Sequence, residues 1–134
     1  MYEEGGRYYL FVKRYGPDCH GVIELVSDSI TGPFEQVDGY HLHEAEDSTK
    51  YEAATCLQLA DGRWCLFLDF YGAAGAAQGY VPFIADSLAA GNFVRSEAAF
   101  SFPYRFKHGT VLSITDEEFD RIRDHDWSDK GYMW

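Results

Sequence analysis

Apolar positions in this chain come in short runs, interrupted by glycine, aspartate, serine or asparagine. The runs are rich in branched and aromatic residues and too short for helices, which is the pattern of strands joined by tight turns. Ala54–Leu59 and Arg63–Phe70 are predicted strands. The intervening "ADGR" predicts a two-residue hairpin centred on Asp61-Gly62, because that pair tolerates positive φ. "GYVPFIADS" predicts a third strand, with Pro82 arguing for an edge or a bulge. "NFVRSEAAF" predicts a fourth. Thr115, followed three residues later by Glu118, forms a capping box, so a short helix is expected to start at Asp116. Its acidic first turn suits the helix dipole.

The pattern repeats. "GGRYYLFV" at Gly5–Val12 matches "DGRWCLFL" at Asp61–Leu68, a spacing of 56 on the shared glycine. "SDSITGPF" at Ser27–Phe34 matches "ADSLAAGNF" at Ala85–Phe93, a spacing of 58 on the aspartate. "KYEAATCLQL" at Lys50–Leu59 aligns more weakly with "KHGTVLSIT" at Lys107–Thr115, a spacing of 57. Four strands per unit of this length match the blade of a β-propeller, in which each blade stacks on its neighbours around an axis. Immunoglobulin-like sandwiches lack this period. The expected fold is therefore all-β: a partial propeller with blade-like units at about 1–49 and 50–106. A closing strand at Thr110–Ile114 and the short helix occupy 107–134. Since propellers close with roughly four to eight blades, a chain holding about two reads as an incomplete domain.

The repeat also places chemistry. The first strand of a blade lines the central channel, and the 57-residue shift superimposes Tyr51 on His108 and Glu52 on Gly109. Glu52 and His108 should thus converge on one channel mouth, the kind of concave place where ligands bind. The two-residue hairpin sets Glu52 opposite Tyr71. A carboxyl group among aromatic and alanine neighbours loses hydration of its charged form, which suits a general acid.

Composition narrows the partners. The 134 residues are 46% hydrophobic and 17% aromatic, enough for one core and too few for two ordinary domains. Ten Tyr, ten Phe and three Trp suit strands and stacking on sugars. A net charge of −11 would repel a phosphate backbone, so nucleic acid is not an expected partner. No apolar run has the length of about 18 residues that a spanning helix needs, so no membrane span is expected. The N-terminus has no basic region followed by an apolar one. Localisation stays open between a cytoplasmic and a secreted parent. Cys19, Cys56 and Cys65 show no metal spacing and are read as free thiols.

Taken together, "YYLFVK", "SDSITGPF", the strand-leading Glu52, "FLDFYG…GYVPFIADSL" and "KHGTVLSITDEEF" resemble the C-terminal part of the five-bladed propeller glycosidases of glycoside hydrolase family 43, the arabinosidase and xylosidase group. The resemblance covers nearly the whole chain. It implies hydrolysis of α-L-arabinofuranosides or β-D-xylosides with inversion, by an aspartate base, a second aspartate that orients substrate, and a glutamate acid. In inverting enzymes the acid and base carboxyl groups stand roughly 6.5–9.5 Å apart. By resemblance Glu52 is the acid, and Tyr51, Phe70, Tyr71, Phe106 and His108 are candidate substrate contacts. His108 matches an axial histidine that in relatives sits beside a metal ion, often calcium, or a water. No cofactor is otherwise required, and the expected ligand is a small sugar or an oligosaccharide. Two departures stand out. Ala53-Ala54 replaces the Gly-Pro that usually follows the acid, and neither aspartate is identifiable. Asp69 falls on a second strand, and Asp28 and Asp86 belong to the repeated turn.

The remaining features have plainer readings. His41 and His43 in "GYHLHEAED" have metal-like spacing in a polar connector, and a solvated loop accounts for them, as it does for Glu44, Glu46 and Asp47. Cys19 and His20 mark a hairpin tip without a third ligand. Tyr8, Tyr9, Phe11, Trp64, Phe67 and Phe83 read as core; Phe70, Tyr71, Tyr80 and Phe106 lie nearer strand ends and could face substrate. No GxSxG, HExxH, P-loop or GxGxxG pattern occurs. The rival readings are a sugar-binding or structural remnant without chemistry, and a related propeller class working by phosphorolysis or on fructans. Exposed blade faces and a free edge predict self-association, or pairing with missing N-terminal blades.

Overall fold

A computed structural model of the chain describes residues 1–16, 21–44, 50–70, 79–98 and 108–126. It contains two four-stranded antiparallel sheets of the same order. The first runs β1 (Tyr2–Glu4), β2 (Arg7–Arg14), β3 (Gly21–Ser27) and β4 (Glu35–Gln36). The second runs β5 (Tyr51–Gln58), β6 (Trp64–Phe70), β7 (Gly79–Ala85) and β8 (Val94–Arg95). The sequence repeat is thus a structural one, with β2 and β3 recurring as β6 and β7. Each sheet is a four-stranded meander, as expected of two successive blades.

The sheets share one core. Tyr9, Val22, Val26 and Tyr40 from the first unit pack with Tyr51, Trp64, Leu66, Leu68, Phe83 and Phe93 from the second. Aromatic edges carry much of the junction. Phe11 meets Phe93 at 5.6 Å in a T-shaped pair, and Tyr2 meets Trp64 at 6.2 Å. Polar stitches accompany them: the Trp64 Nε1–H donates to Glu4 Oε1 (2.6 Å), and the Cys56 N–H donates to Tyr2 Oη (2.8 Å). At the closest approach, a Cβ added at Gly39 would lie 1.9 Å from the Ala90 carbonyl oxygen, so only glycine fits there.

The helix forms as its caps predict. α1 spans Asp116–Arg123 with Thr115 as N-cap; the Glu118 N–H donates to Thr115 Oγ1 (3.2 Å) and the Thr115 N–H donates to Glu118 Oε2 (2.8 Å). It buries none of its residues among the described part of the chain. No helix of the described residues is long and apolar enough to cross a membrane.

Three local expectations are corrected. Residues 110–114 form no strand; the segment lies along β5 through one bond, from the Val111 N–H to Thr55 Oγ1 (3.3 Å). Pro82 sits inside β7, flanked by β6 and β8, rather than on an edge, and its carbonyl accepts from the Ser96 N–H (2.9 Å). The hairpin loop holds three residues, not two. The Gly62 N–H closes a turn onto the Leu59 carbonyl (2.9 Å), Gly62 takes a φ of 89°, and Gln58 pairs with Trp64. A tight turn completed by a left-handed glycine is the usual way a three-residue hairpin closes.

Candidate active site

The site forms where β5 begins. Between Glu52 and Thr55 the β5 strand carries one residue more than β6, a bulge marked by Ala53 with a φ of 49°. This left-handed conformation is the one a glycine would adopt freely, and an alanine now holds it. The three-residue turn and the bulge each move the pairing by one residue. Glu52 therefore faces Asp69, not Tyr71 as the hairpin rule predicts. Asp69 in turn pairs with Tyr80 on β7. Directly paired residues share a face of an antiparallel sheet, so Glu52, Asp69 and Tyr80 form one row across three strands.

His108, far along the chain, comes to this row as well. Its Nε2 stands 3.4 Å from Glu52 Oε1 and 4.0 Å from Asp69 Oδ2, and its own φ is 49°. The separation of 56 residues between Glu52 and His108 along the chain is closed to contact distance, as the repeat implies. Glu52 is one-quarter exposed at its side chain and His108 more than half, so both are reachable from solvent. Asp69 is fully buried, and neither carboxylate oxygen has a hydrogen-bond partner among the described residues. The Tyr80 hydroxyl lies within reach of two backbone carbonyls, those of Ala53 (2.9 Å) and Gly109 (2.6 Å). Its ionisation is pushed up, first by burial and then by the charge of Asp69.

Asp69 is the residue that sequence reasoning passed over. Its position on a second strand hid its closeness to Glu52, which depends on the bulge. One donor atom from each of Glu52, Asp69 and His108 lies within 4.8 Å of the others. That closeness, with the burial of Asp69, argues against Asp69 as the base of an inverting pair, whose carboxyl groups stand roughly 6.5–9.5 Å apart to admit a water. Two carboxylates and an imidazole fit a divalent cation, although a nitrogen donor is more usual around transition metals than around calcium.

The other expected contacts separate. Tyr51 is buried, its ring against Phe70 (5.1 Å) and Phe83 (5.5 Å), while Phe70 keeps a partly exposed edge. The Lys13 ammonium donates to the Tyr51 carbonyl. Tyr80, expected near substrate, is only 2% exposed. Tyr71 and Phe106 lie outside the described residues, as do Cys19, His20, Glu46 and Asp47. Cys56 and Cys65 are buried free thiols. His41 and Glu44 form a surface pair at 3.3 Å, while His43 stacks on Tyr40 at 6.1 Å.

Comparison with known proteins gives the class. The model of a family described as a probable glycosyl hydrolase domain, related to glycoside hydrolase family 43, matches residues 1–120. The chain belongs to that family. No curated protein and no solved structure matches it.

Proposed function

We propose that this chain carries the proton-donor side of a glycosidase centre, with Glu52 as general acid toward α-L-arabinofuranosides or β-D-xylosides, cleaved with inversion. The observation that carries it is the placement of Glu52. A partly exposed carboxyl group leads a blade-like strand, and an imidazole and a buried carboxylate stand against it. Glu52 would pass its proton to the leaving glycosidic oxygen as the anomeric carbon–oxygen bond breaks. In this reading His108 binds substrate or holds Glu52 in orientation, and the partly exposed Phe70 offers an apolar surface for a sugar ring. The five-bladed ring, and a structural calcium beside His108, belong to the same reading.

No base carboxylate is identified among the described residues, and this shapes the experiment. Azide can attack the anomeric carbon in place of base-activated water, giving a glycosyl azide of inverted configuration while Glu52 protonates the departing oxygen. With phenyl arabinofuranoside or xyloside and added azide, Glu52→Gln should lower the rate about 10²–10⁴-fold, the usual worth of a positioned acid. With nitrophenyl glycosides, whose leaving groups need less protonation, the loss should be much smaller. Equal loss on both, or none on either, removes the acid assignment.

A second reading, sugar binding without turnover, is favoured by one observation: the carboxylate beside Glu52 is too close and too buried to be a base. Calorimetry with arabinose and xylose oligomers showing heat of binding, together with no product in azide or water, would select it.

A further inference from the structure

We propose that Tyr80 is a positioning residue. Its phenol oxygen ties together the two backbone turns that carry Glu52 and His108, and so holds their side chains in contact. The inference rests on the reading of Glu52 as proton donor, but it concerns how that group is held. Tyr80 sits at the end of the Glu52–Asp69–Tyr80 row, and its hydroxyl reaches the Ala53 carbonyl at 2.9 Å and the Gly109 carbonyl at 2.6 Å. One acceptor follows Glu52 by one residue; the other follows His108 by one residue. A hydroxyl has a single proton, so it is shared between two carbonyls that belong to segments 56 residues apart.

The backbone at both turns needs such a tie. Ala53 and His108 each adopt a φ of 49°, a region that is strained for a non-glycine residue. Conformations of this kind persist only where the surroundings over-determine them, and they gather at functional sites. Here the two strained residues flank a single buried hydroxyl. Besides the His108–Glu52 contact itself, the described 108–111 segment is linked to β5 by the 3.3 Å bond from the Val111 N–H to Thr55 Oγ1. That link holds the segment near β5 but acts three residues beyond His108, leaving the turn itself to Tyr80. The Tyr80 ring also packs 6.0 Å from Phe67, so Tyr80→Phe removes the tie and keeps the packing.

Nuclear magnetic resonance tests this without substrate, so failure of the glycosidase reading and failure of this proposal are distinguishable. The Nε2 and Hε1 signals of His108 would be recorded for the wild type, Glu52→Gln and Tyr80→Phe. Glu52→Gln should displace both signals, because it replaces the carboxyl oxygen 3.4 Å from Nε2 with an amide group. Tyr80→Phe should displace them in the same direction and by a comparable amount, while the methyl signals of Val22 and Val26 in the first sheet stay in place. A structural role alone would lower the melting temperature and leave His108 where it was. His108 signals unmoved by Tyr80→Phe overturn the proposal, and signals indifferent to both substitutions overturn it by removing the contact itself. If Tyr80→Phe does not fold, the Ala53→Gly/Tyr80→Phe double variant serves, because glycine relieves one of the two turns. The same displacement is expected there through the Gly109 turn, and its absence is equally decisive.

Discussion

Glu24 is the place where this fold should respond most strongly to pH. It lies in the middle of β3, is fully buried, and neither oxygen of its carboxyl group has a hydrogen-bond partner among the described residues. Lost hydration, with a smaller repulsion from Glu4, pushes its pKa up from 4.5 to about 8. Glu4 is itself held in place by the Trp64 Nε1–H and by the Ala89 N–H (3.2 Å). The folded chain therefore keeps a proton on Glu24 that the unfolded chain releases near pH 4.5. Stability from this group is fully present below that pH and is lost as pH rises through about 8. At about 1.4 kcal/mol per pH unit, the loss across the window is on the order of 5 kcal/mol. That is as large as the whole stability of many small domains, about 5–15 kcal/mol. Urea unfolding of the wild type and Glu24→Gln, from pH 4.5 to pH 8.5, isolates the effect. An unpaired buried amide shifts the variant by a constant amount, and the other titrating groups are common to both proteins. The wild type should lose several kcal/mol relative to Glu24→Gln between pH 5 and pH 8. A difference that stays flat over that range would refute the buried, unpaired carboxyl group.

Burial also pushes the Cys56 thiol up and the Cys65 thiol to about 11, so both should resist iodoacetamide at pH 8 until the chain unfolds, as read by mass spectrometry of their peptides. Gly39→Ala should cost about 1–3 kcal/mol or more in urea unfolding, because its Cβ would meet the Ala90 carbonyl oxygen at 1.9 Å; an unchanged midpoint would deny the close approach of the two units. Thr115→Ala should abolish the capping box and reduce α1 helicity by circular dichroism, yet leave the unfolding midpoint of the sheets nearly unchanged, since α1 buries no residue among those described.

The chain sequence by itself determined the architecture of the two sheets. Spacings of 56 to 58 residues between matching motifs carried over into two meanders of identical order, because each motif is a local strand-and-turn unit whose form depends on near neighbours. The capping box at Thr115 was legible for the same reason, and the meeting of Glu52 with His108 was legible because the repeat sets the two at the starts of equivalent segments. Tertiary structure decided everything that depended on a single residue of register. A three-residue turn and a bulge at Ala53 brought Asp69 in place of Tyr71 opposite Glu52, and alternation of apolar and polar residues does not encode such slips. Likewise, only packing could bury Glu24 and bring one hydroxyl of Tyr80 between two distant turns, since both outcomes are contacts between segments far apart along the chain.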